Sequence, residues 1–199
     1  MVSDLFLSET AARADVVLPA AQWAEEEGTM TNLEGRVILR RRAMAPPAGV
    51  RTDTEMLAAL AGRLGVGHMF PSEPRAIFEE LRRASAGGPA DYAGITYEHI
   101  AREDGVFWPC PSEDHPGTPR LFIERFATPD GRARFHPVEY RPPAEEPDEE
   151  YPLYLTTGRV MSHYQSGTQT RRVAELVASS PAAFVQIHPS MARGYGIGD

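Results

Sequence analysis

The feature that most constrains the fold is the stretch Leu153–Arg172, in which a strand-like pattern runs into a glycine-interrupted loop. Apolar residues alternate with Tyr154 and Thr156 at its start, which is the two-residue period of a β-strand. Gly158 breaks that pattern, and Gly167 interrupts the polar segment that follows. The stretch therefore predicts a strand that ends at a long polar loop.

The loop carries the side chains of an anion-binding site. They are hydroxyls, one imidazole and three guanidinium groups: Thr156, Thr157, Ser162, Ser166, Thr168, Thr170, His163, Arg159, Arg171 and Arg172. Glycine lets backbone N–H groups approach a ligand, and hydroxyls and arginines donate hydrogen bonds to phosphate oxygens. These groups suit an anionic, nucleotide-like ligand over the C-terminal end of the strand. On residue types alone, however, a strand followed by such a polar loop is more often an ordinary surface loop.

Composition narrows the possible partners. The chain has 199 residues, enough for one domain or two small ones, and a net charge of −8, which argues against non-specific binding to nucleic acid. Residues 151–199 hold four Arg against Glu175 and Asp199, or +2, whereas the preceding residues hold 16 Arg against 26 acids, or −10. No apolar run approaches the roughly 18 to 20 residues of a membrane helix. Only the C-terminal part has the charge that suits an anion.

The single cysteine, Cys110, excludes an internal disulfide. It also excludes an iron–sulfur cluster held by this chain alone, because such a cluster takes about four cysteine ligands. Cys110 lies between two prolines with no adjacent base, so we interpret it as a structural thiol. The six histidines are far apart in sequence, so no metal site is predicted.

The first third of the chain predicts short strands and helices. Ala11–Ala14 has a helical composition, and Asp15–Pro19 predicts a buried parallel strand. Residues 22–36 are polar and predict a charged loop before an edge strand at 37–40. A parallel sheet needs more chain than these residues supply. We therefore expect the sequence to start within a longer α/β domain.

Three helices are predicted next. Thr52–Gly65 begins with capping-box spacing, ends at a glycine suited to the C′ position, and carries an apolar stripe expected in the core: Met56, Leu57, Leu60 and Leu64. Ser72–Ala84 has a proline in its first turn and apolar residues expected to face inward: Ile77, Phe78 and Leu81. Thr96–Arg102 is a short third helix.

The remaining segments alternate irregular and regular structure. Residues 107–119 are proline-rich, and a hairpin is predicted from strands at 121–126 and 133–135 around the turn Thr128–Gly131. Residues 142–150 form a Pro/Glu/Asp linker. A helix at 171–178, a strand at 183–187 and a helical turn at 189–194 follow. Gly198–Asp199 is expected to begin a further turn, so we expect the last domain to be truncated.

Two motifs carry a resemblance to a known family. Thr-Thr-Gly-Arg-Val at 156–160, followed by His-Tyr-x-Ser-Gly-Thr-x-Thr-Arg-Arg at 163–172, resembles the opening of the dinucleotide-binding domain of molybdopterin oxidoreductases. Ala-Asp-Val-Val-Leu-Pro at 14–19 and Glu-x-Glu-Gly-Thr-x-Thr-Asn-x-Glu-Gly-Arg at 25–36 resemble the end of the family's α/β region. The resemblance extends from about Leu5 to Asp199. The family includes nitrate reductases and formate dehydrogenases.

The resemblance implies a mixed α/β and β fold. Residues 1–65 would end the α/β molybdopterin oxidoreductase domain, and residues 66–148 would be a connecting region with helices and a hairpin. Residues 149–199 would begin a β-barrel-like, double-psi type, dinucleotide-binding domain. In the second motif of the α/β region, Thr29, Asn32 and Arg36 would support the cofactor without taking part in the chemistry.

The resemblance also implies a function. The cofactor would be bis-molybdopterin guanine dinucleotide with molybdenum, and a 4Fe-4S cluster would have its ligands outside this chain. Residues expected to line the dinucleotide are Thr156, Thr157, Gly158, Arg159, His163, Gly167, Thr168, Thr170 and Arg171. For His163, a hydrogen bond to the pterin fits better than proton donation, and no residue is assigned a catalytic or metal-binding role.

The activity implied is the reduction of nitrate to nitrite, because the segments 163–172, 105–111 and 115–118 look most like assimilatory nitrate reductases. A formate dehydrogenase catalytic subunit is the first alternative, and a non-catalytic binding or assembly module is the second. The implied partners are the cofactor, an electron-donor protein or domain and the rest of a parent polypeptide, with no nucleic acid and no membrane span. The implied location is cytoplasmic.

Overall fold

The computed structural model describes residues 1–198, which separate into two units. The first unit contains residues 1–135, and the second begins at His136. The turn predicted at Gly198–Asp199 includes Asp199, which lies outside the described residues. None of the helices within residues 1–198 combines the length and the apolar character needed to cross a membrane.

The first unit contains all the strands and the longer helices. Its strands are β1 (Val2–Asp4), β2 (Val17–Pro19), β3 (Gly28–Thr31), β4 (Arg36–Arg40) and β5 (Val106–Phe107). Its helices are α1 (Asp53–Arg63), α2 (Pro74–Ser85) and α3 (Tyr97–Glu103), with 3-10 turns at Ala11–Arg13 and Gly67–Met69.

Two small sheets form. In the first, β1 pairs with β2 in parallel, with Val2 opposite Val17. The parallel strand predicted at 15–19 is thus confirmed as a strand, but its predicted burial is wrong. Val17 is exposed, because a two-stranded sheet offers few neighbours to cover its faces.

The second sheet is antiparallel, in the order β3-β4-β5. Gly28 lies opposite Arg40, and Val37 lies opposite both Thr31 and Val106. The strand predicted at 37–40 is therefore confirmed, whereas the loop predicted at 28–31 is wrong. The polar segment 28–31 is a strand because β4 supplies backbone partners along its length. β4 lies between β3 and β5, but only Arg36 and Val37 pair with β5.

The ends of the predicted helices are confirmed. Thr52 and Glu55 form the capping box of α1, and Pro74 opens α2 at its first position. At the end of α1, Gly65 has φ +80°, and two hydrogen bonds close a Schellman motif: Gly65 N–H to Gly62 O and Val66 N–H to Ala61 O. Thr96 caps α3 by accepting from His99 N–H.

The core lies between the second sheet, α2 and α3. Its buried residues are Val37, Phe78, Ile95, Ile100, Val106 and Cys110. The Phe78 ring contacts Tyr92 edge-on, with centroids 6.3 Å apart, and Tyr97 at 5.8 Å. The prediction for Phe78 is therefore confirmed.

The apolar stripe predicted for α1 is not part of this core. Leu57 and Leu64 are 55% and 71% exposed, and the only buried residue of α1 among those described is Ala61. Ile77 and Leu81 of α2 are 36% and 43% exposed, so they too lie outside the fully buried core. The face of a helix that becomes buried is the one that neighbouring elements cover. The spacing of apolar residues therefore located the apolar faces of α1 and α2, but it could not show which of these faces other elements would cover.

The second unit contains α4 (Ala174–Ser179), α5 (Pro189–Gly194) and a 3-10 turn at Thr170–Arg172. The helical segments predicted near 171–178 and 189–194 are confirmed. The strands predicted at 153–157 and 183–187 are absent, and the described part of this unit contains no closed barrel. Both segments are largely exposed, with no strand beside them to accept their backbone hydrogen bonds.

The hairpin predicted at 121–135 forms only its turn. Gly131 N–H donates to Thr128 O at 3.0 Å, and Phe126 N–H donates to Gly131 O at 2.9 Å. No strand ladder extends on either side of this turn. A two-stranded hairpin without a covered apolar face is marginal, which explains the difference from the prediction.

Candidate functional site

The candidate loop consists of two parts with different environments. Residues 156–159, which we term the open arm, are exposed and lie outside any helix, strand or turn. A Cβ atom built on Gly158 would meet no other atom within 4 Å. The backbone of the open arm is therefore accessible to a ligand, and the Thr156, Thr157 and Arg159 side chains can donate hydrogen bonds beside it.

Residues 160–173, which we term the coiled loop, fold back on themselves through local hydrogen bonds. His163 N–H donates to Val160 O at 3.2 Å, and Gly167 N–H donates to Tyr164 O at 2.9 Å. Arg171 N–H then donates to Gly167 O at 2.8 Å, at the start of the 3-10 turn. Successive turns give this part of the loop a defined shape without strand pairing.

The His163 side chain is the buried centre of the coiled loop, with 5% of its surface exposed. Its Nε2 lies 2.9 Å from the Ser180 carbonyl oxygen, and its Nδ1 lies 3.1 Å from Thr170 Oγ1. A carbonyl oxygen only accepts, so Nε2 carries the proton and donates. In the neutral ring, Nδ1 then accepts from the Thr170 hydroxyl. Both ring nitrogens are therefore satisfied by the protein itself.

Gly167 is buried and has φ +81°, a left-handed conformation that favours glycine. An added Cβ would lie 2.8 Å from Nε and 2.9 Å from Cγ of Arg171. The space beside Gly167 is thus filled by the Arg171 side chain. The left-handed backbone favours glycine at this position, and because the Arg171 side chain fills the space beside it, the expected close approach to a ligand has no open space here.

The residues expected to line the dinucleotide fall into two groups. Those exposed to solvent are Thr156, Thr157, Gly158, Arg159, Thr168 and Arg171. Those held within the coiled loop are His163, Gly167 and Thr170. Sequence reasoning did not identify Ser180, whose backbone carbonyl anchors His163 from 17 positions away. Because the acceptor is a backbone carbonyl, which every residue has, the amino-acid type at position 180 gives no sign of this contact.

Thr29, Asn32 and Arg36 lie in the β3–β4 hairpin of the first unit. The Asn32 side-chain oxygen accepts from Glu34 N–H and Arg36 N–H, each at 3.0 Å. The Arg36 guanidinium lies 4.8 Å from the centroid of the Phe107 ring. Asn32 and Arg36 therefore have identifiable roles in shaping the hairpin.

A cleft of about 530 Å³ lies in the first unit beside this hairpin and the first turns of α1 and α2. Its charged lining consists of Glu26, Glu27, Glu55, Glu73, Arg40 and Arg42, a net charge of −2. Glu55 and Glu73 already accept hydrogen bonds at the two helix starts. This cleft suits an anionic ligand less well than the loop in the second unit.

Cys110 is fully buried in the core of the first unit. Its Sγ lies 3.5 Å from Ser112 O and 3.4 Å from His115 O. Burial raises the pKa of the thiol above its ordinary value, which disfavours the reactive thiolate. Within residues 1–198, no three His, Cys, Asp or Glu side chains are grouped to hold a metal ion.

Two family models match separate parts of the chain. Residues 1–63 match the model for molybdopterin oxidoreductases, and residues 153–199 match the model for the molybdopterin dinucleotide binding domain. The second match covers the open arm and the coiled loop. Residues 1–63 therefore belong to the molybdopterin oxidoreductase family, and residues 153–199 to its dinucleotide binding domain.

The relatives of this chain include nitrate reductases and formate dehydrogenases. The chain is 52% identical over 199 residues to the assimilatory nitrate reductase catalytic subunit of Bacillus subtilis, covering 98% of this chain and 28% of the relative. It is 46% identical to a formate dehydrogenase subunit alpha of Methanocaldococcus jannaschii, covering 99% and 29%. It is 39% identical to a periplasmic nitrate reductase of Desulfovibrio desulfuricans, covering 92% and 27%. The chain thus spans less than a third of the length of these relatives.

Proposed function

We propose that the loop 156–172 binds the dinucleotide part of a molybdopterin guanine dinucleotide, in a holoenzyme that reduces nitrate to nitrite. The observation that carries the proposal is the coincidence of the dinucleotide-binding match with the open arm. There, exposed hydroxyls and the Arg159 guanidinium flank a glycine with no neighbouring side chain.

The open arm fits a dinucleotide chemically. Phosphate oxygens accept hydrogen bonds from backbone N–H groups, hydroxyls and guanidinium groups, and Arg donates in a bidentate manner. The free space at Gly158 allows the ligand to reach the backbone. When bound, a bis-molybdopterin guanine dinucleotide with molybdenum supplies the redox chemistry, and the residues of this chain bind and orient it.

Nitrate is favoured as the substrate by the 52% identity to an assimilatory nitrate reductase subunit. Oxidation of formate is the second candidate, because identity to a formate dehydrogenase subunit is 46% over nearly the same residues. We further propose a 4Fe-4S cluster with ligands outside residues 1–199, an electron-donor protein or domain, and a cytoplasmic location. We also propose domain boundaries after residues 65 and 148. In the holoenzyme, residues 149–199 would begin a barrel-type domain.

The binding role is tested with Gly158→Val and Arg159→Ala in the holoenzyme. The open arm has room for valine, so its effect falls on the ligand and not on the fold. We expect both variants to lose molybdenum and bound guanine nucleotide several-fold, with little change in the ratio of nitrate to formate activity. Gly194→Val and Arg193→Ala are matched controls, since both sites are exposed in the same unit and Gly194 also has no neighbour within 4 Å. Normal cofactor content in both loop variants would contradict the assignment.

The activity is tested separately, by assaying the holoenzyme with nitrate and reduced viologen and with formate and an oxidised dye. Nitrate turnover with little formate oxidation is expected. Formate activity without nitrate activity would select the second candidate, and neither activity with bound cofactor would favour a non-catalytic binding module. A polypeptide of residues 1–199 alone is expected to be inactive, because a single cysteine cannot hold an iron–sulfur cluster.

A further inference from the structure

We propose that His163 and Thr170 are positioning residues of the dinucleotide loop and make no contact with the dinucleotide. This inference rests on the proposed function, and it changes the role that the motif alone suggests for both residues. Its basis is that the hydrogen-bonding groups of these two side chains are used inside the second unit.

The imidazole of His163 has no free nitrogen to offer a ligand. Nε2–H donates to Ser180 O at 2.9 Å, and Nδ1 lies 3.1 Å from Thr170 Oγ1. The ring is 5% exposed, so moving it towards a ligand would leave the Ser180 carbonyl buried without its donor. A ligand contact would therefore have to replace two bonds that already exist.

Thr170 connects the two ends of the coiled loop. Its Oγ1 contacts His163 Nδ1 and accepts from Tyr164 N–H at 3.3 Å, and its backbone carbonyl accepts from Val173 N–H at 3.1 Å. A hydroxyl that donates to Nδ1 can accept from an N–H at the same time. The side chain of Thr170 thus holds residues 163–164 against the 3-10 turn.

The same contacts attach the loop to the end of α4. Ser180 follows the last residue of α4, and the neighbouring Ser179 hydroxyl donates to the Ser162 hydroxyl at 2.5 Å. Residues 162 and 163 are therefore both tied to residues 179 and 180. These bonds fix the position of residues 162 and 163, which follow the open arm closely in sequence. Further along the coiled loop, the Arg171 side chain packs against Gly167.

The test compares disruptive and conservative variants of each residue in the holoenzyme prepared both with and without cofactor. Thr170→Val keeps the shape of threonine and loses the hydroxyl, whereas Thr170→Ser retains the hydroxyl. His163→Ala loses both ring contacts, whereas His163→Gln can donate to Ser180 O and accept from Thr170. The readout is the rate of trypsin cleavage after Arg171 and Arg172, which reports opening of the loop.

In the cofactor-free protein, we expect Thr170→Val and His163→Ala to be cleaved at least tenfold faster than the wild type, because each loses two hydrogen bonds and a tenfold change corresponds to about 1.4 kcal/mol. Thr170→Ser and His163→Gln should be close to the wild type. The disruptive variants should also lose cofactor, and the conservative ones should retain it. This pattern separates positioning from ligation, because the cleavage rate changes without any ligand present.

Arg159→Ala distinguishes failure of this inference from failure of the proposed function. It should lose cofactor and keep the wild-type cleavage rate. If Thr170→Val and His163→Ala lose cofactor while the cofactor-free loop stays as resistant as the wild type, the two residues are ligands and the inference is overturned. If Arg159→Ala, Thr170→Val and His163→Ala all keep their cofactor, the proposed binding role of the loop fails instead.

Discussion

Replacement of Gly167 by alanine tests whether the shape of the coiled loop depends on its left-handed glycine. Gly167 has φ +81°, where a residue with a Cβ costs about 1–2 kcal/mol. The new methyl group would also lie 2.8 Å from Arg171 Nε. That contact is with a flexible side chain, which can move aside, so we assign most of the cost to the backbone. The expected destabilisation of the loop is about 1–2 kcal/mol.

Gly158→Ala is the matched control. Gly158 is outside the left-handed region, and its added Cβ would meet no atom within 4 Å. Alanine there should be neutral or stabilise slightly, by up to about 1 kcal/mol, because it restricts the unfolded chain. The two substitutions are chemically identical and nine residues apart in the same motif. Any difference between them therefore reports the local conformation.

The assay is amide hydrogen exchange of the Arg171 N–H, which donates to Gly167 O at 2.8 Å. An opening that becomes easier by 1–2 kcal/mol should raise the exchange rate about five- to thirtyfold in Gly167→Ala. The rate in Gly158→Ala should stay within about twofold of the wild type. Equal exchange rates in the two variants would refute the argument that the left-handed glycine holds the loop together.

Three further predictions concern the first unit, whose two tryptophans allow unfolding to be followed by fluorescence. Phe78→Ala should lower its free energy of unfolding by about 3–5 kcal/mol because the ring is 3% exposed, whereas Leu57→Ala should change it by less than about 1 kcal/mol. Equal losses would mean that the apolar stripe of α1 is part of the core. Thr52→Ala should cost about 1 kcal/mol through loss of the capping box, and Thr52→Ser should restore most of it; a neutral alanine would argue against the cap. The raised pKa of the Cys110 thiol means that the folded state keeps its proton where the unfolded state loses it. Stability should therefore be complete below the ordinary thiol pKa of about 8.5 and fall as the pH rises above it, and Cys110→Ala should remove that part of the slope measured in denaturant titrations. Rapid alkylation of the native thiol near neutral pH would contradict its burial.

Local signals in the sequence predicted the helices well. The capping box at Thr52, the glycine at 65 and the proline at 74 each act through atoms within a few residues, so their effect is encoded where it is exerted. The same holds for the turn Thr128–Gly131, which forms even though no strands extend from it. Predictions that depended on a partner elsewhere in the chain were less successful.

The polar segment 28–31 illustrates why. Nothing in its composition favours a strand, and it becomes one because β4 provides backbone partners along its whole length. In contrast, residues 153–157 have strand periodicity but lie beside no strand. Strand formation requires hydrogen bonds to a second segment, so alternation in one segment is insufficient to determine it.

For the candidate site, the residue types that could bind a ligand are readable from the sequence alone. Hydroxyls, guanidinium groups and glycines lie within one motif, and that motif resembles the family's dinucleotide-binding domain. Which of these groups face outward depends on the folded structure. Arg159 is exposed, while His163 is turned inward to the carbonyl of Ser180. Side-chain type is local information, whereas the direction of a side chain depends on which distant backbone atom accepts its hydrogen bond, and this is settled only when the chain folds.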